Sequence, residues 1–279
     1  MKNDYTVTAL CETLEVSQSG YYKALETQRQ PGERRKRDEQ LIGRIDAIHA
    51  ASRGTYGSPR VHQALLQAGE KCSRKRVARL MCESHLEGAH ARRRRVRTTD
   101  SNHTRPVAPN LLRQGPPPRT TDEAWVADIT YIATDEGWLY LAAVKDLYSR
   151  RLLGWSMSER IDTELVLRSF QHASRTRATK TPRIFHTDRG SQYASEAFSA
   201  ELARRNIVPS MSRRGNCYDN ACMESGWGTL KNECVYRTHF ATREQARIVI
   251  FEYLNYYNHR RLHSALGYKT PVDFENQTN

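Results

Sequence analysis

The stretch Trp125-Val-Ala-Asp128-Ile-Thr-Tyr-Ile132 marks a change of grammar in this chain of 279 residues. It is β-branched and aromatic, the composition that suits a pleated, half-buried surface. A carboxylate stands at its centre, on the same strand face as Val126 and Thr130 by strict alternation. A charge inside a strand is strongly unfavourable without a partner, so Asp128 needs an explanation beyond the fold. Two further strands follow closely: Trp138-Leu-Tyr-Leu-Ala-Ala-Val144, after a turn at Asp135-Glu136-Gly137, and Arg151-Leu-Leu-Gly-Trp-Ser-Met157. Such short spacings predict a three-stranded antiparallel meander. An amphipathic helix is expected over residues 163–177, then a strand at Pro182-Arg-Ile-Phe-His186, a helix over 195–205, a short strand over 207–211 and a helix centred on 246–258. The order β-β-β-α-β-α-β-α predicts an α/β fold, with a mixed five-stranded sheet and flanking helices.

Upstream of this stretch the texture is helical. Residues 8–25 read as two short helices around Ser17-Gln18-Ser19-Gly20. Leu41, Ile42, Ile45 and Ile48 form one apolar stripe at helical period. Ser58-Pro59 is expected to open the next helix as cap and first residue, and Gly69 to end it. Ser73 is expected to cap a third helix, with Val77, Leu80 and Met81 facing inward. The last two helices have a helix-turn-helix outline, and the second of them carries Arg74, Lys75, Arg76 and Arg79, which suit phosphates or guanine edges. The run Arg92, Arg93, Arg94 and Arg95 follows. Expected divisions are an N-terminal helical segment over 1–37, a helix-turn-helix-like DNA-binding domain over 38–97, a polar linker over 98–120 ending in Gly115-Pro116-Pro117-Pro118, a core over 121–235 and a C-terminal helical extension over 236–279.

Charge supports that division. The net charge is +13, and residues 1–120 hold 23 Lys/Arg against 12 Asp/Glu while the remainder holds 21 against 19. An excess gathered in one part of the chain points to a polyanionic partner. The six cysteines have no CxxC pair, which argues against a zinc site or a disulfide framework. No apolar run approaches the ~20 residues of a membrane span, and a cytoplasmic, nucleoid-associated location is expected.

Two more acids stand at telling places. Asp188 follows the fourth strand directly, in His186-Thr-Asp-Arg-Gly-Ser-Gln-Tyr193, and residues just past a strand end are where α/β sheets place their chemistry. Glu224 lies on a helix expected to start near Asp219-Asn220, whose side chains read as caps rather than metal ligands. Lys231, seven residues on, returns to nearly the same helix face. Three hard oxygen donors with open positions suit Mg²⁺ or Mn²⁺, and two such ions ~3.5–4 Å apart serve phosphodiester chemistry. His186 has two readings, a residue that orients this loop or a hydrogen-bonded core histidine. Asp146 reads as a structural turn acid, and His259 and His263, amid Arg260-Arg261, as a basic DNA- or protein-facing segment.

The motifs around Asp128 and Asp188, together with Asn216-Cys-Tyr-Asp-Asn-Ala-Cys-Met-Glu224-Ser, resemble the DDE catalytic core of the IS-three family of insertion-sequence transposases, in its second-frame (OrfB-type) part. Thirty-five residues separate Asp188 from Glu224, the spacing behind the family's usual label. Tyr56-Gly-Ser-Pro-Arg60 resembles the start of that family's helix-turn-helix-like domain, and Tyr257-Asn-His-Arg-Arg-Leu-His-Ser-Ala-Leu-Gly-Tyr-Lys-Thr-Pro271 its ending. Gly226 and Trp227 depart from it, since relatives often carry phenylalanines there, and with Gly228 the glycine is expected to weaken its helix.

The resemblance implies an RNase H-like, integrase-type core. It implies nicking of element ends and strand transfer into new DNA, with Asp128 bridging two Mg²⁺ (or Mn²⁺) ions and Asp188 and Glu224 each holding one. Lys231 would contact a DNA phosphate. Implied partners are double-stranded DNA (terminal inverted repeats and target), a second copy of the chain to pair the ends, and a first-frame (OrfA) partner or fusion. A non-catalytic DNA-binding regulator and a structure-specific nuclease are the alternatives; the first leaves the triad unexplained and the second leaves the flanks unexplained.

Overall fold

The computed structural model describes residues 5–29, 32–89, 107–177, 182–213 and 220–278, and the chain folds as two compact units, residues 1–88 and 89–279. The first unit is helical: α1 (Val7–Thr13), α2 (Gln18–Arg29), α3 (Glu33–Ala51), α4 (Ser58–Gln67) and α5 (Arg74–Glu83). Leu41 and Ile45 of α3, Val61 and Leu65 of α4, and Val77, Leu80 and Met81 of α5 form its buried core. Ser73 caps α5 as expected, its Oγ accepting from Arg76 N at 3.2 Å. Gly69 follows α4 with φ at +81°, a conformation glycine adopts without strain. Two expectations change. Gly57, not Ser58, is the α4 cap, and it caps without a side chain. The division expected between residues 37 and 38 falls inside α3. Its first turns are built of Arg, Lys and Glu, strong helix formers joined by Lys36–Glu33 and Arg35–Glu39 pairs at 3.3 Å, and a solvated helix face has no apolar periodicity to betray it.

The second unit holds β1 (Ala124–Thr134), β2 (Gly137–Asp146), β3 (Leu152–Ser158), β4 (Ile184–Thr187) and β5 (Val208–Met211), in the spatial order β3-β2-β1-β4-β5. The first three strands are antiparallel, and β4 and β5 join β1 in parallel. Alternation gives the sheet two buried faces. On one, Trp125, Ala127, Ala142 and Val144 pack under α7 (Thr163–Thr176) and α8 (Glu196–Arg204), with the rings of Phe170, Phe185 and Phe198 in mutual contact. Helix α7 lies so close to β3 that a Cβ on Gly154 would stand 2.3 Å from Ala173 N. On the other face, Val126, Ile132, Leu139, Leu141 and Ala143 pack under α9 (Ala221–Glu233) and α10 (Arg243–His259).

The ends of this unit differ from expectation. Part of the expected linker belongs to the core: α6 (Leu111–Gln114) sits beside β5, with Leu111 N donating to Ser210 Oγ at 2.9 Å. The expected C-terminal extension does too, because without α10 one sheet face would lie bare. Arg261 and His263, read as part of a basic DNA- or protein-facing segment, are buried. Arg261 donates to Glu233 at 2.6 and 2.8 Å, and Tyr253 Oη donates to the same carboxylate at 2.8 Å. A guanidinium is buried in this way only with its charge paired. Asp146 is the turn acid anticipated, accepting from Ser149 N at 2.7 Å and Asp122 N at 2.8 Å. Beside it, Glu275 of α11 (Pro271–Thr278) pairs with Arg151 at 2.6 Å and with Arg177, which ties the chain's last helix to the sheet.

The Gly154 contact is testable. Gly154→Ala is expected to destabilise the protein by about 1–3 kcal/mol through overpacking against backbone that has no rotamer to yield, measured by urea unfolding.

Candidate active site

Asp128 lies mid-way along β1 on the α9 face. Its Oδ1 accepts from its neighbour's amide, Ile129 N, at 2.9 Å, and its Oδ2 from the Trp227 indole Nε1 at 3.1 Å. Part of its surface remains open, yet protein surrounds it densely enough that desolvation is the leading influence on its proton. Burial and then the nearby Asp188 charge push its pKa from an ordinary 3.8 up to about 8, against the two hydrogen bonds and with a smaller contribution from Glu224. Sequence reasoning placed Trp227 as a packing anomaly and missed it as the partner of this carboxylate. The helical spacing from Glu224 gave no hint that the indole turns to the sheet.

Asp188 leaves the end of β4, which runs parallel to β1 with Val126 opposite His186. Its Oδ1 accepts from Gly190 N at 2.9 Å, and a Cβ on Gly190 would come within 3.0 Å of that oxygen. The loop is thus wound tightly about the carboxylate, with glycine where any side chain would crowd it. His186 is fully buried, with Nδ1 2.8 Å from Ser210 Oγ and Nε2 3.0 Å from Ser212 Oγ. Both readings of this histidine meet here, since a core hydrogen-bonding position also fixes the strand end that launches Asp188. Tyr193 buries a hydroxyl with no hydrogen-bond partner among the described residues. Burial, joined by the charges of Asp128 and Asp188, holds its pKa well above the usual phenol range.

Glu224 stands in the first turn of α9 with its side chain exposed, and partial burial raises its pKa. Asn220 occupies the cap position but does not cap; its Oδ1 is buried with no partner among the described residues. Asp219 lies outside them. Lys231 is half-buried, its ammonium 4.3 Å from the centroid of the Tyr131 ring. Burial lowers its pKa while Asp128 opposes the shift, so this cation lies within electrostatic reach of the acids. The structure therefore brings Asp188 within electrostatic reach of Asp128, with Glu224 and Lys231 on the adjoining helix. Among the described residues no three acids, histidines or cysteines close around a single point. The donor set still fits a hard divalent cation. All three side chains offer carboxylate oxygens, and the Asp128–Asp188 repulsion is what a bound dication would relieve.

The integrase core domain family matches residues 118–217 and a second integrase core domain description matches residues 205–271, with an HTH-like domain over residues 36–95. Similar over almost the whole chain are the insertion element IS600 uncharacterized 31 kDa protein of Shigella sonnei, at 43% identity over 95% of this chain and 97% of the relative, and the transposase InsF for insertion sequence IS3A of Escherichia coli, at 38% identity over 98% and 95%. The chain belongs to the IS3 family of insertion-sequence transposases. Among solved structures, the magnesium-bound catalytic core domain of HTLV-2 integrase is similar to 56% of this chain over 97% of its own length, at 16% identity and a TM-score of 0.45. The fold class expected from the sequence is confirmed: an RNase H-like integrase core with a helical, HTH-like region before it.

The basic helix of the transposase's first unit is only partly as expected. Arg76 and Arg79 both reach Asp38 of α3, at 2.6 and 2.8 Å, and Arg79 also reaches Glu83 at 2.8 Å. Hydrogen bonds from Arg79 and then Arg76 hold the Asp38 carboxyl below its ordinary range. Arg74 and Lys75 are exposed. With Arg34 and Arg37 of α3, residues Lys75, Arg76 and Arg79 line a cleft of about 550 Å³ that Glu33 alone supplies with negative charge. Arg92, Arg93, Arg94 and Arg95 lie outside the described residues. No helix among those described is long and apolar enough to cross a membrane.

The state of Asp128 has a measurable consequence. Native Asp128 keeps its proton between about pH 4 and pH 8, a range in which the unfolded chain has released it. Raising the pH through that window therefore destabilises the metal-free fold. Asp128→Asn is expected to flatten this slope in urea unfolding with EDTA from pH 5 to 9, even though the amide loses one of the two hydrogen bonds and shifts the absolute stability.

Proposed function

We propose that this transposase nicks the ends of its element and joins them to other DNA by strand transfer at Asp128, Asp188 and Glu224. The observation that supports this reading best is the Asp128–Asp188 pair: Asp128 sits inside a strand, where burial and then the charge of Asp188 push its pKa up to about 8, a burden that a bound cation would relieve. Two Mg²⁺ or Mn²⁺ ions bound at such a site supply stabilisation of the attacking and leaving oxygens of an in-line phosphoryl transfer. The protein's own part is positioning. Asp128, Asp188 and Glu224 would hold the ions through their carboxylate oxygens. The Trp227 indole and the Ile129 amide fix the Asp128 carboxylate in one orientation. Lys231, with its charge in reach of Asp128, meets a phosphate near the cleaved end. The free 3′-hydroxyl then acts as nucleophile with no enzyme–DNA bond, as direct transfer between DNA strands needs no protein nucleophile.

DNA is held by basic residues of the first unit and of the segment that follows it. Arg74 and Lys75 of α5, together with Arg92, Arg93, Arg94 and Arg95 beyond that unit, neutralise backbone phosphates, while Arg76 and Arg79 divide their donors between Asp38 and the basic cleft. Pairing two element ends calls for at least two copies of the chain on DNA, and a first-frame (OrfA) partner or fusion would add end recognition.

A joining assay with labelled element-end DNA and Mg²⁺, run on this chain and on its fusion with the upstream frame, tests the chemistry. Joined products are expected, with Glu224→Gln lowering them by about a hundredfold or more while DNA binding persists. Binding without joining by either form would favour a regulator, and hydrolysis without joining a nuclease. For the basic helix, Arg74→Ala and Lys75→Ala are each expected to lower the slope of log affinity against log salt by about 1. Arg76→Ala is expected to cost thermal stability as well, because it strips Asp38 of a partner.

A further inference from the structure

Helix α9 carries Glu224, yet among the described residues Glu224 itself makes no hydrogen bond that would fix the helix on the sheet. Two other contacts do so. Three residues after Glu224, the Trp227 indole donates to Asp128 of β1. Two residues before it, the backbone carbonyl of Cys222 accepts from Lys145 Nζ at 3.2 Å. Lys145 is the penultimate residue of β2, paired with Val126 across the sheet and only 2% exposed. A lysine this buried is exceptional. Its ammonium also lies 5.6 Å from the centroid of the Tyr257 ring of α10, a cation–π contact that offsets part of the lost hydration. The pocket that admits it is made by the helix. A Cβ on Gly226 would stand 2.3 Å from Lys145 Nζ, so the missing side chain of this glycine is the space the ammonium fills. The Arg150 guanidinium, from the turn after β2, reaches Cys222 Sγ and adds a second tether at the same residue.

We propose that Lys145, seated against Gly226, is a positioning residue for Glu224: with Trp227 it clamps α9 to the sheet at two points that bracket the glutamate and so sets its distance from Asp128. The clamp rests on the reading of Glu224 as a metal-holding residue. Neither Lys145 nor Gly226 touches DNA or ion; both act through the helix.

The test is titration of the full-length, metal-free protein with Mn²⁺, following the thermal shift well below saturation of the unfolding signal, for wild type, Lys145→Leu, Gly226→Ala, the double variant, Glu224→Gln and Glu275→Gln. Leucine keeps the site apolar but falls short of the Cys222 carbonyl. Lys145→Leu is expected to weaken Mn²⁺ about tenfold, the scale of a lost outer-shell partner. Gly226→Ala is expected to weaken it similarly by displacing the ammonium, and to add nothing in the Lys145→Leu background, where no ammonium remains to displace. Glu275→Gln breaks an ion network on α11, away from α9, and so serves as a destabilised reference with wild-type Mn²⁺ response. Wild-type Mn²⁺ response in Lys145→Leu, or full additivity of the two changes, would overturn the clamp. If Glu224→Gln also leaves the response unchanged, the failure lies with Glu224 as a metal-holding residue; if Glu224→Gln weakens it and Lys145→Leu does not, the clamp alone fails.

Discussion

A carboxylate inside a strand imposes more on this protein than any other single feature. Asp128 has apolar neighbours along β1 on its own face, Val126 and Ile132, and a second acid close by in space. Its ionised form is tolerable only if donors and counter-charge are brought to it from outside the strand. The Trp227 indole answers part of that need and in doing so recruits α9 to the sheet. The parallel pairing of β4 with β1 delivers Asp188 to the same end. Burial, and then repulsion between the two acids, raises the Asp128 pKa, a shift that a bound cation would relieve.

The second unit is arranged to keep that geometry rigid. One sheet face is closed by α7 and α8 around a cluster of phenylalanines, with Gly154 allowing α7 to lie almost on the backbone of β3. The opposite face is closed by α9 and α10, whose contact is locked by the buried Glu233–Arg261 pair and the Tyr253 hydroxyl. A paired ion set of this kind is a weak source of net stability but a strong source of specificity, because breaking it strands a buried charge. The glycine at 226 belongs to the same logic. It does not interrupt α9, which is continuous from Ala221 to Glu233; it makes room for the Lys145 ammonium.

The first unit uses its charge differently. Its core is small, and its polar ties are on the surface, where ion pairs contribute little individually. Asp38 draws Arg76 and Arg79 inward and leaves Arg74 and Lys75 turned to solvent on the next part of the same helix. One basic helix thus divides between holding its own unit together and presenting charge to solvent.

The sequence by itself determined the order of strands and helices in the core, because periods of 2 and 3.6 with β-branched and aromatic residues are local properties that survive in the folded chain. It also singled out Asp128 and Asp188, one as a charge where alternation places an inward face and one as a residue just past a strand end. The start of α3 was invisible, since a charged solvated face carries no periodicity. Only the tertiary structure decided which helices close which sheet face, that Arg261 and His263 turn inward rather than toward a partner, that Asn220 does not cap its helix, and that Trp227 and Lys145 join α9 to the sheet on either side of Glu224. Those are contacts between residues tens of positions apart in the chain, and their physical cause is the need to cover apolar surface and pair buried charge in three dimensions, which no local pattern encodes.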